Sequence, residues 1–366
     1  MYLVKDEDTI QYTLFNLTPK SHAFWINIKG EMIMKKLLTI LLVCLIAVSS
    51  IFAQSKMESE RPAKMDVKTG LALITSASGK SATRKGDGQG SADILFAAVT
   101  VTKDGKIDSC VIDAIQGKVK FSAEGKITSD KSTPVLSKNE LGTGYGMIKA
   151  SKIGKEWNEQ AAALSKYVVG LTADEVKAIT LSSASRNGVD LASSATIGYD
   201  DIIETIVKAM ENAKNLGAKS GDTLYLTHYT NNSKSKDATS KGDGQTQTYA
   251  TVAAITVDGD VITSMIVDAV QPTVKFNAKG EVTSDAAYVK TKNELKEAYG
   301  MAKASSIGRE WYLQAESFCQ YATGKTISAV MGTPVNEKGV ATDADLVSSV
   351  TLAVANFTDL IAKIAK

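Results

Sequence analysis

The chain is poor in histidine and cysteine, the residues on which most hydrolytic and metal centres depend. It has two histidines and three cysteines in 366 residues. Cys110 and Cys319 lie far apart, which is not the spacing of a disulfide framework or a metal-binding cluster. Beyond residue 44 only His228 remains, so composition argues against Cys/His zinc sites and Ser-His-Asp catalysis. We therefore predict no catalytic set and no metal site.

The sequence also lacks a block of charge of one sign. The formal net charge is +2, and no run rich in lysine and arginine occurs, which argues against nucleic acid as a partner. Apolar residues make up 44% and charged residues 22%, a composition typical of globular domains.

No apolar run is long enough to favour a membrane anchor. The longest, residues 37–48, follows Met34-Lys35-Lys36 and leads to Ala53, a pattern typical of a secretory signal peptide. We predict a signal at 34–53, cleaved near Ala53, and export to the periplasm or cell surface. A lipoprotein modified at Cys44 is the alternative, although Val43 stands where a small residue is needed. Residues 1–33 are predicted to be a leader from a start codon assigned too early, with a genuine N-terminal extension as the alternative.

The most informative feature is an internal duplication with a period of about 155 residues. Lys85-Gly86-Asp87-Gly88-Gln89 recurs at 241–245, and Ile153-Gly154-Lys155-Glu156-Trp157 recurs as Ile307-Gly308-Arg309-Glu310-Trp311. A period of this length is a whole domain. We predict two tandem domains, 66–215 and 221–366, with a boundary in the Gly-, Lys- and Ser-rich stretch 216–221.

Each copy has β-type patterns first and helical patterns afterwards. Residues 94–102 and 106–114 are β-rich runs joined at Asp104-Gly105, and the second copy repeats this hairpin signal at Asp258-Gly259. Capping-box spacing then marks helix starts at Ser137/Glu140, Thr291/Glu294 and Thr172/Glu175. Strands followed by helices predict an α+β domain with an antiparallel or mixed sheet.

The end of each copy contains the best candidate site. In the first, Asp190-Leu191-Ala192-Ser193-Ser194-Ala195-Thr196 precedes apolar residues at helical spacing from Ile202 to Met210. This order predicts that the Ser-Ser-Ala-Thr block lies at a helix N-terminus, where free N–H groups favour an anion. From the residues alone, a plain N-cap at Ser193 or Ser194 is the favoured interpretation.

This motif resembles the flavinylation sequence of the FMN-binding domain family, in which Asp is followed by Ser/Thr, Gly/Ser, Ala and Thr. That family includes tandem-domain exported flavoproteins of extracytoplasmic electron transfer. The resemblance implies a Mg²⁺-dependent flavin transferase that takes FMN from FAD and joins its phosphate to the Thr196 hydroxyl. Asp190, Ser193, Ser194 and Ala195 would then be the recognition sequence.

The second copy departs from the motif at one position. Asp345, Ser348, Ser349 and Thr351 match, but Val350 stands in place of alanine. We expect Thr351 to carry FMN as well, although a β-branched Val350 would crowd the transferase or the flavin phosphate.

Other repeated residues have two interpretations each. Trp157 and Trp311 are expected either to stack on a flavin ring or to anchor helices in the core. Asp113 and Asp268 are expected to be either polar flavin contacts or solvated strand ends.

The sequence thus predicts an exported FMN carrier that exchanges electrons with membrane or periplasmic redox partners rather than a stand-alone enzyme. The alternatives are non-covalent binding of FMN or another ligand, and a duplicated structural surface module.

Overall fold

The computed structural model describes residues 64–180, 185–284 and 287–365, together with the backbone of three short strands up to Ile28. The chain divides into two compact units, Met1–Ala63 and Lys64–Lys366. In the first, β1 (Leu3–Asp6), β2 (Thr9–Tyr12) and β3 (Ile26–Ile28) form a three-stranded antiparallel sheet. The predicted signal peptide at 34–53 lies outside the described residues.

Two large antiparallel sheets and one small one form the frame of the second unit. Sheet A has the order β12 (Ala287–Tyr288), β4 (Lys68–Lys80), β5 (Gly88–Val101) and β6 (Ile107–Phe121). Sheet B has the order β10 (Val261–Val270), β9 (Tyr249–Asp258) and β7 (Thr223–Asn231), while β8 (Gly244–Gln247) pairs with β11 (Thr273–Phe276). Both predicted hairpins are confirmed, and Gly105 and Gly259 adopt the positive φ that their turns need.

Helices follow the strands in each copy, as predicted. Those of the first copy are α1 (Lys138–Leu141), α2 (Trp157–Tyr167), α3 (Ala173–Lys177), α4 (Leu191–Ser194) and α5 (Asp200–Glu211). Those of the second are α6 (Lys292–Leu295), α7 (Trp311–Ala322), α8 (Ile327–Met331) and α9 (Ala355–Ala362). The three predicted capping boxes are all formed. The α+β class with antiparallel sheets is therefore confirmed.

The two sheets are buried on both faces because alternate residues point to opposite sides of a strand. In sheet A, Ala97 and Val99 pack against α2 and α5, whereas Phe96 and Ala98 face sheet B. One shared apolar cluster thus joins the two sheets, and each sheet carries its own helices on its other face.

The two copies also exchange backbone contacts reciprocally. Val135 N donates to Thr230 O at 2.9 Å, and Val289 N donates to Thr75 O at the same distance. Phe121 and Phe276, which occupy equivalent positions, stack with ring centroids 3.9 Å apart. Ion pairs repeat the exchange, since Lys208 of one copy binds Glu294 of the other and Lys363 binds Glu140. Each copy therefore completes part of its partner's packing.

None of the helices in the described ranges combines the length and apolar character needed to cross a bilayer.

Candidate functional site

The motif of the first copy folds into a compact turn held by its own aspartate. Asp190 caps α4, because its Oδ1 accepts a hydrogen bond from Ala192 N at 3.1 Å. Its other oxygen, Oδ2, accepts from Ser193 Oγ at 2.9 Å. The Asp-to-Ser spacing of the motif thus has a local structural role in the folded chain.

Apolar residues of the motif anchor this turn to the core and leave the threonine outside. Leu191, Ala195 and Ile197 are 1%, 2% and 5% exposed. Thr196, between Ala195 and Ile197, is exposed. The folded protein therefore presents the Thr196 hydroxyl at its surface on a backbone fixed from both sides.

A buried glutamine of α2 holds the backbone at the threonine. Gln160 is fully buried, and its Oε1 accepts from Thr196 N at 2.7 Å and from Ile197 N at 3.1 Å. The Thr196 hydroxyl lies 3.3 Å from the same oxygen. Gln160 Nε2 in turn donates to Lys155 O at 3.0 Å. The position of the threonine is therefore set by the second helix of the copy.

The prediction that the Ser-Ser-Ala-Thr block lies at a helix N-terminus is wrong. Ser193 and Ser194 are in α4, Thr196 follows its end, and α5 begins only at Asp200 without a side-chain cap. Asp190 takes the capping role three residues earlier, so neither serine is the N-cap. The anion preference of a helix N-terminus accordingly does not act on Thr196.

A cation lies beside the motif instead. Lys155 Nζ is 3.4 Å from Ser194 Oγ, and Lys155 precedes α2 on the segment that Gln160 also contacts. A lysine ammonium in this position can pair with a phosphate near Thr196.

The second copy repeats the threonine–glutamine contact. Gln314 Oε1 accepts from Thr351 N at 2.8 Å and lies 3.2 Å from the Thr351 hydroxyl. Thr351 is partly exposed, and Gln314 is fully buried. The same geometry is thus built from two different stretches of sequence.

The motif turn of the second copy differs in its capping. Residues 344–349 form a turn and not a helix, Asp345 and Ser348 are exposed, and Asp345 N donates to Asp343 Oδ1 at 2.9 Å. Ser349 donates its hydroxyl proton to Leu346 O at 3.3 Å. The Val350 side chain is fully buried in the core, as is that of Ala195. In the folded chain it therefore points away from any group bound at Thr351.

Both tryptophans are buried in the core, so neither ring presents an open face on which a flavin could stack. Trp157 is 4% exposed and Trp311 is 3% exposed. A lysine ammonium lies over each ring, Lys138 at 5.1 Å and Lys292 at 4.7 Å from the ring centroid. Burial lowers the pKa of Lys292 to about 8. The ring faces are therefore occupied by partners within the chain.

Asp113 and Asp268 are buried, which corrects their interpretation as solvated strand ends. Asp268 Oδ1 accepts from Asn293 N at 3.0 Å, and Asp113 makes the same contact with Asn139 N. They hold the starts of α6 and α1 against the sheets. Burial raises the pKa of Asp113 and raises that of Asp268 to about 7.

Replacing Asp268 by Asn should flatten the pH dependence of stability. The folded-state pKa lies above the ordinary value of 3.8, so the folded state binds more protons between about pH 4 and 7. Stability due to this group therefore falls as the pH rises through that window, by up to roughly 1.4 kcal/mol per pH unit. Urea unfolding of wild type and Asp268→Asn at several pH values measures the difference. The exposed Asp359→Asn is the control, and equal slopes in all three proteins would contradict the assignment.

The remaining histidine and cysteines are structural. His228 Nε2 lies 2.8 Å from Glu140 and links the two copies. Burial would raise the pKa of Glu140, but hydrogen bonds from His228 and Lys363 outweigh it and lower the pKa to about 2. Cys110 and Cys319 are free thiols, and burial raises the pKa of each to about 12. Among the described residues, no group of His, Cys, Asp and Glu could hold a metal ion.

Gln160 and Gln314 are the site residues that the sequence interpretation missed. The available signal was their recurrence three residues after Trp157 and Trp311 in both copies. A glutamine in an apolar helix pattern gives no other indication of its role.

No protein-family model matches the chain, and neither the curated proteins nor the solved structures include a match to it.

Proposed function

We propose that the chain is an exported electron carrier with FMN bound covalently through its phosphate to Thr196. The observation that carries the proposal is the exposed Thr196 hydroxyl on a rigid turn, with Gln160 behind it and Lys155 nearby. The motif residues that point outward are those that a transferase would recognise, while Leu191 and Ala195 serve the fold.

The residues present fit a phosphate ester at this position. Thr196 is exposed and its hydroxyl donates a hydrogen bond to Gln160 Oε1, while Lys155 offers a positive charge beside the neighbouring Ser194. Bound FMN supplies the redox chemistry, since protein side chains of this site have none of their own. Gln160 holds the attachment point by its backbone, so the hydroxyl remains available when the turn is folded.

The two copies are proposed to be tandem FMN-binding-type domains, 66–215 and 221–366. The support is the matching order of elements and the repeated contact of Thr351 with Gln314. The basic side chain before the second helix of each copy makes different contacts in the two copies. Arg309, at the position of Lys155, lies 3.2 Å from Ser317 Oγ. We therefore expect Thr196 to be the better acceptor of the two.

The modification requires a partner enzyme. A Mg²⁺-dependent flavin transferase would use FAD: the Thr196 Oγ–phosphorus bond forms, the diphosphate bond of FAD breaks and AMP leaves. Export through the proposed signal at 34–53 would place the carrier beside membrane or periplasmic redox partners. Covalent attachment prevents loss of the cofactor by diffusion there.

A structural surface module is the second candidate. It is favoured by the local role of Asp190, which caps α4, and by the burial of both tryptophans. In that case the repeated motif would only shape the end of each copy.

The test is the intact mass of the denatured chain after co-production with a flavin transferase. We expect one or two FMN units to stay attached in the presence of the enzyme and none in its absence. An unmodified mass, with a known flavinylated protein modified in the same cells, would favour the structural module.

A further inference from the structure

A groove of about 530 Å³ runs between β6 and α2 in the first copy. One wall is a continuous stretch of β6, residues 108–112, and the other is the helix face bearing Asn158, Ala162, Ser165 and Lys166. Ala162 lies four positions after Asn158, and Ser165 and Lys166 lie three and four positions after Ala162, so these residues share one side of α2. Gln160, two positions from Asn158, is on the opposite side. The groove is therefore separate from the Thr196 turn.

The strand that borders the groove is the last strand of sheet A. In the described part of the chain β6 pairs with β5 along one edge, and no other strand pairs with its second edge. Near its start, Ile107 exchanges backbone hydrogen bonds with Gly170 and Leu171. Further on, the Ile112 carbonyl accepts from Asn139 Nδ2 at 2.8 Å. Between these two fixed points the edge faces the groove. Such an edge offers main-chain donors and acceptors to an added strand.

A buried polar atom in the opposite wall also lacks a partner. Asn158 Oδ1 is buried and accepts no hydrogen bond from any described residue. Buried carbonyl oxygens of this kind are uncommon, because losing water without gaining a donor is unfavourable. A ligand with an N–H group in the groove would satisfy it.

The second copy has larger side chains at the corresponding positions. Met265 replaces Cys110, Tyr312 replaces Asn158 and Glu316 replaces Ala162. Ser165 contacts β6 through the Cys110 side chain, whereas Cys319, which replaces Ser165, receives a hydrogen bond from the Val267 backbone at the strand edge. Four of the positions that line the groove thus carry different residues in the two copies.

We propose that this groove binds an extended peptide segment of a partner protein, which adds to the free edge of β6 as a further strand. Main-chain hydrogen bonds to the 108–112 stretch would give affinity, and Asn158 Oδ1 would accept one N–H of the peptide. The apolar side chains of Ile112 and Val169 line the groove and favour small aliphatic side chains in the segment. Unlike a small molecule, an extended segment can pair with the successive main-chain groups of β6 that lie between the contacts at Ile107 and at the Ile112 carbonyl.

The chain itself provides the variant that should close the groove. Asn158→Tyr with Ala162→Glu introduces the two residues that the second copy already carries at 312 and 316. These side chains are compatible with the fold, so a melting temperature close to that of wild type is expected. The matched control is Ala163→Ser, which also introduces a residue of the second copy into α2 but at a position outside the groove.

The probe is a phage-displayed library of random heptapeptides, selected on the full chain and counter-selected on the double variant. We expect enriched peptides to shift the backbone amide resonances of Ser109 to Ile112, and to bind the double variant at least tenfold more weakly. N-methylation at alternate peptide positions should abolish binding. The proposal would be overturned if no peptide is enriched, if the double variant binds equally, or if N-methylation has no effect. None of these outcomes depends on whether Thr196 carries FMN.

Discussion

Thr196→Ala is expected to remove one covalently bound FMN from chain produced together with a flavin transferase. The substitution deletes the hydroxyl oxygen through which the proposed ester forms. The hydroxyl makes one contact in the fold, to Gln160 Oε1 at 3.3 Å, and the side chain is exposed. Stability should therefore change by no more than about 0.5 kcal/mol. The mass of the denatured protein and its visible absorbance measure the loss.

Thr351→Ala is the matched control because Thr351 makes the same contacts in the second copy. The two single variants and the double variant separate three cases. If each single variant loses one flavin and the double variant loses both, then both turns are modified. If Thr196→Ala loses a flavin and Thr351→Ala does not, only the turn of the first copy is modified. Retention of the wild-type flavin content in Thr196→Ala would refute the assignment of Thr196.

Gln160→Leu is expected to have the largest effect on stability. Leucine cannot accept the hydrogen bonds from Thr196 N and Ile197 N, which are partly and fully buried. Two unsatisfied N–H groups at about 1–3 kcal/mol each predict a loss of roughly 2–6 kcal/mol in the free energy of unfolding. Urea unfolding measures it. FMN attachment at Thr196 should fall as well, because the turn that presents the hydroxyl loses its support.

Gln160→Glu keeps an oxygen acceptor at the same place and separates the two effects. It should keep the contact to Thr196 N while losing the donation from Nε2 to Lys155 O, and because Gln160 is fully buried, stability should recover mainly at low pH, where the new carboxyl group is protonated. Gln314→Leu provides the control in the second copy and should lower attachment at Thr351 alone. If Gln160→Leu unfolds at the same urea concentration as wild type, Gln160 does not hold the turn.

The hairpins and capping boxes could be predicted because short-range chemistry determines them. Asp104-Gly105 fixes a turn within a few residues, and Ser137 with Glu140 satisfies N–H groups of the helix that it starts. The start of α4 could not be predicted in this way. Asp190, Ser193 and Ser194 all have capping chemistry, and which of them caps depends on how Leu191 and Ala195 reach the core.

The residues that support the motif turn and the helix starts could not be predicted, because their contacts join distant parts of the sequence. Gln160 contacts Thr196 across 36 positions, and Asp113 reaches Asn139 across 26. Neither spacing follows from helix or strand periodicity, because each depends on how complete elements pack. The motif itself could be found because it is contiguous, whereas its supporting residues could not.

The reciprocal contacts between the copies have a consequence for how the two turns can change. Val135 binds the partner copy's strand as Val289 does in return, and equivalent phenylalanines stack on each other, which is the arrangement of a two-fold symmetric dimer. In a dimer of identical chains every substitution appears twice, so both subunits must tolerate it. Fusing the subunits into one chain removes that constraint. One turn can keep alanine beside its threonine while the other takes valine, and a groove can open on one side while the other is filled. Such a chain can evolve two different sites while the equivalent contacts between its two copies continue to hold the fold together.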